Sequence, residues 1–428
     1  MPPSYSNKTI ILKNVKKIYG QPDQARPMSI MLKNGVIDKI ARFDQLAEAT
    51  VKSEKSPAII DCSDQIVMPG FIDSHTHLLF SGSREAEFYL RAKGSSYLDI
   101  LGSGGGIYST VDKVRRASEE ELIENGIKYL DKALDFGITT IEIKSGYGLD
   151  YQTEEKMLRV LQKLNARHPL DIIPTYLVHA APREMDRKKY IDSVIHGMLP
   201  DFRAFTGWFD IFLEKDVFDV GEAERMIQKA AELGYSIGLH TNQVNDIGGI
   251  ALANEYGVRH VDHLEVLSDA DAERIIQNPN LYAVFLPAAE YFIFSEKIGQ
   301  VNKLSAIPSR IVFATDFNPG SSPVLSPQVI MSLAVLRYRL ADPGLLLDGF
   351  TANPARMLGL ANHGVIETGA AADVICLQLD RFEQIPYLGT VNFITYMIKA
   401  GELVFQKEQK KGPSARGVTL SPEGYRHR

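Results

Sequence analysis

Cysteine is almost missing from this chain. Its 428 residues contain two, Cys62 and Cys376, far apart in sequence. That count excludes a disulfide-stapled scaffold and a cysteine metal knot. No apolar run reaches the roughly 18 residues of a membrane span, and the opening "MPPSYSNKTI" lacks the basic-then-apolar order of a signal peptide. Cytoplasmic residence is the default expectation. An excess of positive charge is lacking too. A net charge of −6 gives no electrostatic grounds for nucleic acid or an anionic membrane as partner. Internal repeats and low-complexity tracts are also lacking. What is present, 45% hydrophobic and 23% charged residues, is the balance of a globular protein. The length suits a large barrel with a smaller module.

Short strands and turns open the chain, in "TIILKNVKKIY", "MSIMLKNGVIDKIARF" and "AIIDCSDQIVMPG". The same texture returns in "GVIETGAAADVICLQLD" and "ITYMIKAGELVFQ". Between them, buried strands alternate with amphipathic helices such as "EEELIENGIKYLDKALDFG" and "GEAERMIQKAAELG". The strand candidates are "VMPGFIDSHTHL", "ITTIEIKSG", "IIPTYLVHA", "FDIFLEK", "SIGLHTNQ", "RHVDHLEVL", "YAVFLPA" and "RIVFATDF". Eight strands with intervening helices predict a parallel (β/α)8 barrel of TIM type. The expected division is a barrel over 67–363 and a small β-sandwich built from both terminal segments, 1–66 and 364–407. A polar tail, 408–428, is expected to be poorly ordered.

In "VMPGFIDSHTHLLF", His75 and His77 fall one residue apart at a strand end. Alternation along a strand points both rings to one face. Two surface histidines would also fit that spacing. The other strand ends decide between the readings: His179, His240, His263 and Asp316 all fall where a barrel gathers its catalytic groups. Their convergence predicts a metal site. Three imidazoles and a carboxylate without a thiolate suit Zn²⁺ best, with Fe or Mn next. His75, His77, His240 and Asp316 are the expected ligands of a single ion. His263 is the expected base beside the water of that site. His260, three residues before His263, is expected to face away as packing or a second layer. His168, His196, His363 and His427 are expected to be solvated.

The "PGFIDSHTH" strand, the later strand-end histidines and the Asp of strand eight resemble the amidohydrolase superfamily of metal-dependent hydrolases. Within it the chain is similar to the imidazolonepropionase family, through "SGSREAEFYLRAKGSSYLDILGSGGGIYSTV", "EIKSGYGLD", "TEEKMLRV", "VDHLE" and "ATDFNPGSSP". The resemblance covers nearly all of the chain before the tail. It implies hydrolytic opening of the ring of 4-imidazolone-5-propanoate to N-formimidoyl-L-glutamate, in histidine degradation, by attack of a metal-bound hydroxide on the ring carbonyl. It implies a small anionic heterocyclic substrate and is compatible with a homodimer. Arg84 would hold the propionate, with Tyr97 and Tyr147 lining the pocket and His179 against the ring. Gln243, after His240, would take a catalytic and substrate-binding place, and Asn318, Gly320 and Ser321 would border the substrate. His263 and Asp316 would share the proton of the attacking water.

The chain departs from the family at Leu177, Val178, Thr241, Asn242 and Glu290, positions that bear on substrate choice. The Gly-rich "GSGGGIYST" lacks the Lys-Ser/Thr of a phosphate loop and reads as a loop folding over the pocket. Lys144 could carry a metal-bridging carbamate, but the ligand set already closes around one ion. One rival is an aminohydrolase of the same fold, deaminating a purine, pterin or pyrimidine. The other, a scaffold without chemistry, would require missing ligands, and none is missing.

Overall fold

A computed structural model describes residues 9–22, 25–50, 57–95 and 105–407. The centre of the molecule is an eight-stranded sheet in strict sequence order: β1 (Phe71–Asp73), β2 (Ile138–Lys144), β3 (Asp171–Val178), β4 (Trp208–Leu213), β5 (Ser236–Thr241), β6 (His260–His263), β7 (Tyr282–Phe285) and β8 (Ile311–Phe313). Every neighbouring pair is parallel. Parallel neighbours require a crossover, and helices supply it. Two of the expected helices begin at capping boxes, Ser118 with Glu121 and Asp219 with Glu222, which satisfy the first free backbone donors. They run over Glu119–Asp135 and Val220–Glu232, and bury Leu122, Leu130, Met226 and Ile227 against the sheet. The predicted (β/α)8 barrel is the observed fold.

The barrel closes at the segments that follow β1 and β8. Thr76 bridges Phe317, the His77 amide donates to the Phe317 carbonyl (2.9 Å), and the Asp316 amide donates to the His75 carbonyl (3.0 Å). The seam thus carries three of the expected ligands.

The stretch "VMPGFIDSHTHL" is two strands rather than one. Ile66–Pro69 pairs with Val374–Leu377 and Lys17–Ile18 in a terminal sheet, whereas β1 pairs with β2. Gly70 makes the passage between sheets. A Cβ there would lie 2.1 Å from the Thr139 side chain, so no other residue fits without displacing β2.

Two terminal sheets flank the barrel. One contains Val36–Ala41, Met28–Lys33, Ile10–Val15 and Ala58–Asp61; the other adds Ile394–Lys399 and Glu402–Gln406 to the strands named above. They share one core, in which Leu12, Ile30 and Ile37 meet Val67, Val374 and Ile398. That is the expected sandwich. Cys62 and Cys376, distant in sequence, meet inside it as free, hydrogen-bonded thiols. No helix among the described residues is long and apolar enough to cross a membrane. The tail expected over 408–428 lies outside them.

Candidate metal centre

The mouth of the barrel is a cluster of buried imidazoles. The rings of His75 and His240 lie 4.5 Å apart, those of His77 and His240 5.6 Å, and those of His240 and His263 5.5 Å. Asp316 Oδ1 approaches His77 Nε2 at 3.3 Å and His75 Nε2 at 3.5 Å. Two overlapping groups bring their ligand atoms within 4.8 Å of one another: His75, His77 and Asp316, and His75, His240 and His263. His263 therefore stands as near to a ligand position as the four residues expected to hold the ion.

Two histidines are fixed from below. His75 Nδ1 lies 2.7 Å from Asp262 Oδ2, whose other oxygen lies 2.7 Å from His260 Nδ1. His240 Nδ1 lies 2.9 Å from Asp210 Oδ1. A carboxylate at Nδ1 holds the proton there and directs the lone pair of Nε2 into the mouth. His75 Nε2 and His240 Nε2 are both buried and lack a hydrogen-bond partner within the protein. Buried polar atoms are normally paired. Orphaned ring nitrogens on anchored imidazoles fit a metal ion.

At His240 and His77 the electrostatics agree with that fit. Burial, the largest influence, holds His240 down to about 3 despite Asp210, and it also lowers His77 and His179. Neutral imidazole is the ligating form. At His75, burial and Lys144 are outweighed by Asp262 and Asp316, which raise it to about 9. The proton so held beside Asp316 is the one that a metal would displace. Burial disfavours charge on Asp316, yet the His75 and His77 rings beside it keep it well below the usual carboxylate range.

Beneath the histidines, Lys144 Nζ donates to Asp210 Oδ2 (2.8 Å) and Glu142 Oε1 (2.9 Å). Fully buried between two carboxylates, it is held as an ammonium, and its pKa is raised. An ammonium carries no bridging carbamate. Backbone strain gathers at the same face. Asn242 (φ 57°), His263 (84°), Leu264 (67°) and Asp316 (50°) all lie in the left-handed region. Such residues cost about 1–3 kcal/mol each and persist where surrounding contacts over-determine them.

The expected pocket residues are arranged around this cluster. His179 stacks on His77 (5.3 Å, 24° between planes), and Tyr147 lies 6.0 Å from His77 and 5.8 Å from His179. Gln243 is half-buried just past β5. Asn318 is occupied with its own loop: Oδ1 accepts from the Gly320 and Ser321 amides, and Nδ2 donates to the Asp316 carbonyl. Arg84 is also engaged. Its Nε and Nη2 donate to Glu87 Oε2 at 3.1 and 2.8 Å, while Nη1 lies over Gly320. Tyr97 lies outside the described residues, as does the start of the Gly-rich loop.

Some features were not legible in the sequence. Asp210 and Asp262 have no place in the expected site, although a carboxylate inside an apolar strand is a signal that points to them. His260 belongs to a second layer, as expected, but it acts through Asp262. The His168 side chain is only 5% exposed, beside Asp131, rather than solvated. His427 is outside the described residues. Asn242, one of the departures, ties the end of β5 to the segment after β6 by donating to the Val266 carbonyl (2.7 Å). Glu290, another, is buried and accepts from Tyr338 (2.6 Å), Arg337 (3.0 Å) and the Gly299 amide (2.8 Å).

The comparisons with known proteins give the family. Residues 66–404 match the model of the amidohydrolase family, and the chain belongs to that family. Within it, the chain is 38% identical to an imidazolonepropionase of Bacillus velezensis, over 82% of this chain and 84% of the relative. It is equally 38% identical to an imidazolonepropionase of Alkaliphilus metalliredigens, over 86% and 89%. Among solved structures, a 5-methylcytosine deaminase from Klebsiella pneumoniae superimposes with a TM-score of 0.72 over 94% of this chain and 98% of its own. At 15% identity that likeness speaks to the fold alone.

Proposed function

We propose that this chain hydrolyses 4-imidazolone-5-propanoate to N-formimidoyl-L-glutamate, a step of histidine degradation. The carrying observation is identity of 38% to imidazolonepropionases along most of both chains. The orphaned nitrogens at the barrel mouth support the same reading.

On this reading His75, His77, His240 and Asp316 hold one ion, Zn²⁺ by preference and Fe as the second choice. Bound there, the ion supplies a Lewis acid and an activated water. His263, with Asp316, takes the proton of that water as its oxygen attacks the ring carbonyl carbon. The C–N bond to the ring nitrogen then breaks. His263 returns the proton to the departing nitrogen, leaving a carboxylate and the formimidoyl group. Arg84 carries the propionate charge, with Tyr147, His179 and Gln243 against the ring and the loop of Asn318, Gly320 and Ser321 forming one wall; Tyr97 is assigned to substrate binding by its resemblance alone. The described parts of the terminal segments 1–66 and 364–407 form a module beside the barrel assigned to residues 67–363, with the strand Ile66–Pro69 carrying the module across the first boundary. The free buried thiols of Cys62 and Cys376 support a reducing, cytoplasmic setting.

The test is incubation of the purified protein with 4-imidazolone-5-propanoate, following both products. N-formimidoyl-L-glutamate without ammonia is expected. Ammonia released from a purine, pterin or pyrimidine, with the imidazolone left intact, would favour a deaminase instead.

A further inference from the structure

Glu265 is a buried carboxylate that none of these steps uses. Its side chain is 1% exposed, and neither oxygen has a hydrogen-bond partner. A buried carboxylate is costly unless a donor or cation meets it. Arg337, together with Tyr338 and the Gly299 amide, is bound to Glu290, the acidic neighbour whose charge opposes that of Glu265. One donor stands close: His263 Nδ1, 3.5 Å from Glu265 Oε1, itself buried and unpaired. The two residues are brought together by backbone that L-residues rarely adopt. Consecutive left-handed φ values at His263 and Leu264 turn the chain back, so that Glu265 lies beside the ring two residues before it.

We propose that Glu265 is a positioning residue for His263. It fixes the ring with its proton on Nδ1, leaves Nε2 bare as the proton acceptor, and steadies the imidazolium formed during turnover. The inference rests on the function proposed above, in which His263 moves the proton. The logic is that of a base oriented by a carboxylate behind it, where contacts long in the resting protein tighten on the reaction path. The contrast with His75 and His240 is informative. Their Nδ1 carboxylates sit at 2.7 and 2.9 Å, whereas the carboxylate behind His263 stands off at 3.5 Å.

The experiment compares wild type, E265Q and E265L, each loaded with Zn²⁺, by steady-state kinetics and by ¹⁵N NMR of labelled histidine, with the His263 signal assigned by its loss in H263N. E265Q keeps the shape and an acceptor but loses the charge. It should lower kcat about 10-fold with KM within about 3-fold; E265L should lower kcat about 100-fold, toward the scale of a lost acid–base group. Wild-type His263 should show the Nδ1–H tautomer, and E265L a shift toward Nε2–H. Wild-type kcat in E265Q, or an unchanged tautomer in E265L, would overturn the proposal. Should E265L fail to fold, the near-isosteric E265Q decides by its kcat and KM. The tautomer needs no substrate, so it stands or falls even if the imidazolone reading fails.

Discussion

Asp262 joins two histidines at once, with Oδ2 2.7 Å from His75 Nδ1 and Oδ1 2.7 Å from His260 Nδ1. All three side chains are buried, and the carboxyl is held well below its ordinary range because both imidazoles outweigh its desolvation. One carboxylate therefore sets the direction in which His75 offers its free nitrogen.

Asp262→Asn should accordingly weaken metal binding by about 10- to 100-fold, the usual cost of losing a carboxylate behind a ligating histidine. The amide can still donate to one ring, but it can no longer accept from both. Competition with a chelator of known affinity measures the change. Unaltered affinity would mean that His75 is oriented by packing alone.

Replacing His263 separates two places for that residue, since its ring nitrogen lies as close to His75 and His240 as a ligand would. His263→Asn is expected to retain near-stoichiometric metal while losing about two to four orders of magnitude in rate. Metal analysis of the purified variant checks this. A protein emptied of metal would move His263 into the ligand set.

Arg84 gives a prediction sharpened by its pairing. Its Nε and Nη2 rest on Glu87, so the substrate carboxylate must either use Nη1 or compete with Glu87. Arg84→Met should raise KM with a loss on the order of 2–4 kcal/mol, and Arg84→Lys should recover only part, because an ammonium cannot reproduce the planar fork. An analogue without the carboxylate should be handled no worse by the Met variant than by wild type. Equal losses on both substrates would make Arg84 a structural partner of Glu87.

Glu290 links the site's surroundings to pH. Burial, followed by the Glu265 charge, raises its carboxyl to about 7, against the partial relief of Tyr338, Gly299 and Arg337. The unfolded value is roughly 4.3. A raised acid contributes most stability below its unfolded pKa, and that contribution is lost as pH climbs through the folded one. Between pH 4 and 8 the loss is on the order of 3 kcal/mol. Glu290→Gln should remove that decline, so its denaturation midpoint should gain on wild type as pH rises from 5 to 8. Parallel pH curves for the two proteins would contradict it.

Much of this was readable from residues alone, for physical reasons. His75, His77 and His240 fall at strand ends, and a parallel barrel collects strand ends on one face whatever the loops do. The pairing of inward carboxylates with particular rings was not readable. Asp210 reaches His240 from the neighbouring strand, and Asp262 reaches His75 across the barrel, so each depends on register that one sequence does not specify. The passage at Gly70 was hidden because an apolar run is continuous across it, although the chain changes sheets there. Arg84 with Glu87 is different: an (i, i+3) pair at a helix start could have been anticipated from spacing.

The central claim is that the seam of the barrel is a single catalytic metal site. Metal content and imidazolone turnover, measured together on wild type and on Asp316→Asn, test it most directly. Wild type should contain about one ion per chain and open the ring, while Asp316→Asn should keep its helical and sheet signal in circular dichroism and lose turnover, because a catalytic ligand removes no core packing. An Asp316→Asn protein that still turns over the imidazolone at the wild-type rate would contradict the account.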